Sequence, residues 1–369
     1  MAPKIRIGLL FGGRSAEHEV SLQSARNIIN GLDRDKYEPV LIGIDRQGKW
    51  YLSEASRFLL DADKPERIKL GKATQRVVLL QGQNETQLLN LSDSEDAKPL
   101  DVVFPILHGP FGEDGTVQGL LKLADLPFVG ADVAGSAVGM DKDIQKRLFR
   151  DAGIPAARFV VLHKHIADEA DYRSIKGKLG LPLFVKPANL GSSVGVSKAH
   201  NETELLAALE TAFKYDRKVL IEEAIEGQEI ECSVLGNENP LASLPGRVIP
   251  QSEFYSYRAK YIDEHGAQLE IPADLDAETT KRIQEMSVRV FKVLCCEGMA
   301  RVDFFLDESG QLLINEINTI PGFTGISMYP KLWEVSGISK SELLDRLIEL
   351  AMQRFDRNKN LKTTVNMEE

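Results

Sequence analysis

Two carboxylates, an amide and a guanidinium fall at alternating positions in one short stretch of the chain. The stretch reads Ala300-Arg301-Val302-Asp303-Phe304-Phe305-Leu306, a turn from Asp307 to Gly310, then Gln311-Leu312-Leu313-Ile314-Asn315-Glu316-Ile317-Asn318. Pairing Leu306 with Gln311 in an antiparallel hairpin sets Arg301 opposite Glu316 and Asp303 opposite Ile314, with Asn318 on the same face. Hard oxygen donors that only partly fill a coordination shell suit a Mg²⁺ ion that also takes phosphate oxygens. A plain cross-strand ion pair between Arg301 and Glu316 on a solvated face accounts for the same residues, and the hairpin alone leaves both readings open.

A second stretch, Lys186-Pro187-Ala188-Asn189-Leu190-Gly191-Ser192-Ser193-Val194-Gly195-Val196, is a loop of small residues between two strands. Where Cβ atoms are absent, backbone N–H groups can approach phosphate oxygens closely. No Gly-Lys-Ser/Thr opens a helix after it, so it is not a P-loop, and a simple turn is the alternative. Lys186 and Lys142 would supply positive charge. Two more Gly-rich loops, Gly12-Gly13-Arg14-Ser15-Ala16-Glu17-His18-Glu19-Val20-Ser21 and His108-Gly109-Pro110-Phe111-Gly112-Glu113-Asp114-Gly115, each follow a strand, where open α/β sheets bind ligands. The dinucleotide fingerprint is absent from both, which argues against a nicotinamide cofactor. Taken singly, His18 and His108 read as hydrogen-bonded structural histidines. The aromatic and basic run Glu253-Phe254-Tyr255-Ser256-Tyr257-Arg258-Ala259-Lys260-Tyr261 has the composition of a lid over a polyphosphate, or of a surface loop.

The elements that must position these residues follow from periodicity. Residues 5 to 140 alternate strand and helix, the signature of a doubly wound α/β unit: strand 5–11, a helix from Ser21 to Leu32, strand 40–44, strand 102–107, a helix from Thr116 to Ala124 and strand Phe128-Val129. The polar stretch from Asp61 to Lys98 reads as an excursion on the rim, in the form of a hairpin. Asp141 is placed to cap a helix carrying Ile144 and Leu148. An α+β unit follows, with strands at 159–161, 183–186, 194–196 and 219–222 and a helix from Thr203 to Lys214. A larger mixed unit holds a helix from Glu278 to Leu294, the hairpin above and a closing helix that starts at the capping box Ser339-Lys340-Ser341-Glu342. The expected divisions are residues 1–140, 141–235 and 236–369.

With 369 residues, the chain has room for two or three domains. Its 45 Lys plus Arg against 55 Asp plus Glu give a net charge of −10, which disfavours nucleic acid or an anionic membrane as partner. Phosphate must then be met by local cations or metal. Three cysteines, Cys232, Cys295 and Cys296, offer neither a disulfide framework nor zinc spacing, and a reducing, cytoplasmic compartment is expected. The first residues lack the layout of a secretory signal, and no apolar run is long enough for a transmembrane helix.

Taken in order, GGRSAEHEVS, HGPFGEDG, MDK, KPANLGSSVGV, EEAIEGQEIE, FYSYRAKY, ARVDFF and NEINTIPGFTGISMYP resemble the D-alanine:D-alanine ligases of the ATP-grasp superfamily. The resemblance runs from Gly12 to Pro330. It implies an N-terminal α/β substrate domain followed by a two-domain ATP-grasp unit that clamps ATP. It also implies a reaction in which one D-alanine carboxylate is phosphorylated and the amine of a second D-alanine displaces the phosphate, giving the dipeptide of peptidoglycan precursors. Further implications are two Mg²⁺ ions (or Mn²⁺) and a homodimer formed through the N-terminal domain.

Residue by residue, the resemblance gives Glu17 the ammonium of the first D-alanine and places His108 near its carboxylate. Ser192, Tyr261 and Glu17 match a hydrogen-bonded trio that closes the lid. Lys142, Lys186, Ser193 and Lys260 match phosphate contacts. Glu222, the backbone of Glu223 and Ile225, and Glu229 match the adenosine site, with Phe305 and Asn315 also on the nucleotide. Asp303, Glu316 and Asn318 match the metal ligands. Arg301 and the Gly322 N–H match the oxyanion donors, and Ser327 with Met328 lies near the second carboxylate. The hinge Glu223-Ala224-Ile225 departs from relatives that carry a lysine and a bulkier residue there. The retained Tyr261 predicts D-alanine, not D-lactate, as second substrate. Competing readings are a ligase for other small amino or hydroxy acids and a catalytically silent nucleotide-binding regulator; retention of Asp303, Glu316 and Asn318 counts against the regulator.

Overall fold

A computed structural model of the chain describes residues 3–53, 59–60, 68–71, 75–81, 88–91, 99–169, 171–250 and 267–362. Its first sheet has six strands, in the order Leu88–Asn90, Gln75–Leu79, Trp50–Ser53, Tyr37–Ile44, Ile5–Gly12, Val102–Pro105. Ile5–Gly12 runs parallel to both of its neighbours, as the α/β reading requires. Ile7, Leu9 and Phe11 enter one core and Leu10 enters another, because successive side chains leave opposite faces of the strand. The expected rim hairpin is present as Gln75–Leu79 paired with Leu88–Asn90, antiparallel at the sheet's edge. Helix His18–Gly31 begins earlier than expected, inside the Gly-rich loop, and Phe128 makes only a single bridge to Val103.

The second sheet is antiparallel, with strands in the order Ser197–Ala199, Leu183–Pro187, Lys218–Glu223, Phe159–His163. Helices Tyr172–Leu179 and Glu202–Ala212 cover one face and bury Leu183, Val185, Leu205, Leu209, Val219 and Ile221. The strand expected at 194–196 lies at Ser197–Ala199 instead. Residues 192–195 turn, with Ser192 (φ 52°) and Ser193 (φ 59°) both left-handed, so pairing starts only beyond them.

The third sheet orders Ala267–Glu270, Gly246–Pro250, Gln228–Gly236, Gly298–Leu306 and Leu312–Asn318, backed by helix Ala277–Val293. The closing helix Lys340–Lys359 starts where expected, the Ser339 hydroxyl accepting from the Glu342 N–H at 3.3 Å. Its Leu343, Leu344, Leu347 and Ile348 share one core with Ile7, Leu9 and Phe11, so the first and last layers are fused. Among the described residues, no helix is long and apolar enough to cross a membrane.

Packing crosses two of the expected boundaries. Gln228–Gly236 lies wholly in the third sheet, so a break at 235/236 would cut a strand, whereas residues 224–227 connect the second sheet to the third. Helix Lys142–Asp151 sends Phe149 into the core of the third sheet, and Ala156 bridges to Ile314. Through Phe149 this helix packs on the third sheet.

Candidate active site

The hairpin at the centre of the site pairs differently from the simple register. Leu306 faces Leu312, Asp303 faces Glu316 and Arg301 faces Asn318, with a bulge between Asp303 and Phe304. The expected pairings of Arg301 with Glu316 and of Asp303 with Ile314 are therefore corrected. The longer turn moves the register by one residue, and Asn315, the extra residue of the bulge, moves it by one more. A shift of two keeps the face, whereas a shift of one would have turned every side chain over. Arg301, Asp303, Glu316 and Asn318 thus still share a surface.

On that surface Arg301 forks onto Asp303, Nε to Oδ1 and Nη2 to Oδ2, both at 2.7 Å. The Asn318 amide also donates to Asp303 Oδ2, at 3.0 Å. Glu231, on the neighbouring strand, also approaches Arg301 Nε, at 2.9 Å, so that two carboxylates converge on this guanidinium. Glu316 pairs with Lys142 Nζ at 2.9 Å. Lys142 also donates to the Leu190 carbonyl at 2.7 Å, which ties the helix to the small-residue loop. Asn315 accepts from Lys186 at 3.3 Å, and Lys186 donates to Glu222 at 2.9 Å.

The N-terminal layer contributes Glu17 and His108. Glu17 is 5% exposed and accepts a hydrogen bond from the Ser192 hydroxyl. Gly109 (φ +77°) is required beside it, because a Cβ there would stand 2.8 Å from Glu17 Oε2. His108 Nδ1 must carry the proton, since its partner at 3.1 Å is the Ile320 carbonyl. Its Nε2 then accepts from Ser24 at 3.3 Å, and Ser24 accepts from the Phe323 N–H at 3.1 Å. Burial, assisted by Arg301 and opposed by the Ile320 bond, holds the imidazole neutral with a pKa lowered to about 4.

Glu17, His108, Ser192, Arg301, Glu316, Asn318, Gly322, Ser327 and Met328 line one cleft. Ser327 stands at the N-cap position of helix Met328–Val335 without a side-chain capping bond, and the helix's first N–H groups, which have no partner within the helix, favour a carboxylate. Ser193 follows Ser192 in the same turn. Glu222 and Glu223 end strand Lys218–Glu223, and Ile225 follows in the connection to the third sheet. Glu229 pairs in register with Phe305. At the hinge the Glu223 carboxylate accepts from both the Arg158 N–H and Nε at 2.6 Å, so this unusual side chain is turned onto Arg158. Lys260 and Tyr261, with the rest of the expected lid, lie outside the described residues.

Three site residues escaped the sequence reading. Glu113 lines the cleft and accepts from the Gly109 N–H at 2.7 Å and the Ile320 N–H at 3.2 Å. Burial, reinforced by the nearby Glu17 charge, pushes its pKa up to about 8. Glu231 orients Arg301. Lys146 is 2% exposed and stands 3.3 Å from Glu222 Oε1. For Lys146 a signal was available: it lies four residues after Lys142 and so shares its helix face.

Residues 148–349 match the family model for the D-ala D-ala ligase C-terminus, and residues 6–131 match that for the N-terminus. The chain belongs to the D-Ala-D-Ala ligase family. It is 56% identical to the D-alanine--D-alanine ligase of Shouchella clausii, over 98% of each chain. The D-alanine-D-alanine ligase structure from Coxiella burnetii superposes with a TM-score of 0.83 at 41% identity, covering 97% of each chain. The VanG D-Ala:D-Ser ligase from Enterococcus faecalis does so at 0.82 and 39% identity, over 95% of this chain and 100% of that one. Membership in the D-Ala-D-Ala ligase family fits the cleft as described, with paired carboxylates and an amide on one sheet face and lysines converging on them.

Proposed function

We propose that this D-Ala-D-Ala ligase family member joins two D-alanine molecules to D-alanyl-D-alanine, with ATP as cosubstrate and an acyl phosphate as intermediate. The observation that carries the reading is Lys142 on Glu316. It brings a cation beside the carboxylates of the third sheet, in the same cleft as Glu17 and Arg301.

In this reading Glu17 binds the ammonium of the first D-alanine, and neutral His108 lies near its carboxylate without competing for positive charge. Lys142, Lys186, Ser193 and Lys260 contact the phosphates. Glu222 accepts from the adenine amino group, the Glu223 and Ile225 backbone meets the ring edge, and Glu229 takes the ribose, with Phe305 and Asn315 close by. Asp303, Glu316 and Asn318 fit a divalent cation: they are hard oxygen donors, two of them anionic, gathered on adjacent strands. Such ions, two in this reading, neutralise phosphate charge when bound. Arg301, held rigid by Asp303 and Glu231, and the Gly322 N–H are preorganised for the oxyanion of the tetrahedral intermediate. Ser327 and Met328 hold the second carboxylate. Ser192, Glu17 and Tyr261 close the site and exclude the water that would hydrolyse the acyl phosphate.

The central unit, residues 157–224, acts as the moving half of the clamp, because the N- and C-terminal layers share a core. The active chain is a cytoplasmic homodimer in this reading. The test is ADP release with ATP, Mg²⁺ and D-alanine, compared with L-alanine and with no amino acid. Release that requires D-alanine, with the dipeptide as product, is expected. Offering D-serine or D-lactate with D-alanine reads the second site, and dominance of the mixed dipeptide or the ester would overturn D-alanine as second substrate.

A further inference from the structure

Helix Lys142–Asp151 presents two lysines one turn apart to two different carboxylates. Lys142 meets Glu316 on the third sheet at 2.9 Å, and Lys146 meets Glu222 on the second sheet at 3.3 Å. The register between helix and strand is fixed independently. Lys218, at the start of the strand that ends in Glu223, donates to Asp141 Oδ1 and Oδ2 at 2.7 and 2.6 Å and to Asp143 at 3.2 Å. Asp141 is the helix N-cap, so the helix cannot slide along the strand without breaking these pairs. Glu222 is held from both sides, Oε1 by Lys146 and Oε2 by Lys186, in a site where it is 2% exposed.

A buried carboxylate flanked by two ammonium groups remains an acceptor and nothing else. An acceptor at this place attracts the 6-amino group of a purine and repels a 6-oxo group. Lys186 is shared with Asn315 and lies near Glu316, so it also serves the phosphate end of the site. Lys146 also feels the Glu316 charge, but the carboxylate it pairs with is Glu222, 3.3 Å away, and the Phe159 ring lies 5.8 Å from its enclosed ammonium. We infer that Lys146 is the residue that sets the purine preference of this enzyme, by fixing the Glu222 carboxylate as an acceptor for a 6-amino purine. Lys146 is a positioning residue, acting on the nucleotide through Glu222. The inference rests on the placement of the purine at Glu222 proposed above.

The experiment compares Lys146→Met, which keeps length without charge, with Glu222→Gln, using ATP and GTP as alternative nucleotides and thermal melting as a control for folding. Lys146→Met is expected to raise KM for ATP about tenfold and to narrow the ATP-to-GTP ratio of kcat/KM by about tenfold. The change should fall in KM for ATP and not in KM for D-alanine. If Lys146→Met does not fold, Lys146→Gln, which keeps a donor without the charge, serves the same comparison. A lowered melting temperature with an unchanged nucleotide ratio would make Lys146 purely structural and overturn the inference. A shift in Glu222→Gln alone would overturn it while leaving the purine at Glu222. If neither variant alters the ratio, the purine placement itself fails, and the inference with it.

Discussion

Ser192 donates its hydroxyl hydrogen to Glu17 across 175 residues of sequence, joining the turn of the central unit to the first loop of the N-terminal layer. The turn holds Ser192 and Ser193 in left-handed backbone, a conformation that costs on the order of 1 kcal/mol or more per residue and persists where surroundings enforce it. Ser192→Ala removes a hydrogen bond to a charged group, worth about 1.5–3 kcal/mol. We expect kcat/KM for D-alanine to fall about 10- to 100-fold with little change in melting temperature. Steady-state kinetics at saturating ATP checks it.

Glu316 is the carboxylate that Lys142 reaches, at 2.9 Å. Glu316→Gln keeps the shape and removes the charge. Turnover should drop by about 100-fold or more while the fold is retained, since the divalent cation proposed to offset charge on the transferring phosphoryl group then loses an anionic ligand. Activity near that of the parent enzyme at ordinary Mg²⁺ would sink the assignment of Glu316 as a metal ligand.

Gly322 has no room for a side chain, because a Cβ there would stand 2.7 Å from Ser327 Oγ. Ser327 is itself fixed by the Thr324 N–H at 3.0 Å and the Thr324 hydroxyl at 2.8 Å. Gly322→Ala must therefore displace Ser327 Oγ from these bonds, at the end of the cleft where the second substrate is proposed to bind. A displacement of about 1 Å in an active site can cost about 100-fold in rate. The expected loss is of that order, and initial rates at varied D-alanine measure it.

The two buried titratable groups beside the cleft give opposite pH dependences. Glu113 has its pKa raised from 4.5 to about 8, so between those values the folded chain keeps a proton that the unfolded chain has released. Its stabilising contribution is complete at low pH and is lost as pH rises through about 8. His108, lowered from 6.5 to about 4, contributes above 6.5 and loses that contribution as pH falls through about 4. Glu113→Gln should flatten the decline in melting temperature between about pH 6.5 and pH 8, above the His108 window. Parallel melting curves for the two proteins over that range would show that Glu113 does not titrate there.

Arg354 is 4% exposed and donates to the Phe128 carbonyl at 2.7 Å and to the Gly130 carbonyl, with its guanidinium 4.4 Å from the Phe128 ring. It reaches from the closing helix into the N-terminal layer. Arg354→Met leaves two buried carbonyls and Glu297 without this partner and should destabilise by about 3 kcal/mol. Denaturant unfolding reads the loss, and KM for D-alanine should stay unchanged because Arg354 does not line the cleft.

The sequence by itself determined which chemistry was available. Alternation placed Arg301, Asp303, Glu316 and Asn318 on one face because a strand's side chains repeat every two residues, and small residues after Lys186 marked a loop that a phosphate could approach. Asp141 and Ser339 announced their helices through capping, which is a local interaction. The tertiary structure decided which of these groups are partners. The bulge at Asn315 paired Asp303 with Glu316 and turned Asn315 toward Lys186, and no local pattern announces an extra residue of that kind. Burial of Lys146 and Glu113, and the approach of Glu231 to Arg301, arise where separate strands, sheets and loops meet, so their roles depend on contacts between residues far apart in the chain. The central division likewise followed packing: Phe149 entered the third sheet's core because the nearest large apolar surface was there, whatever the sequence order.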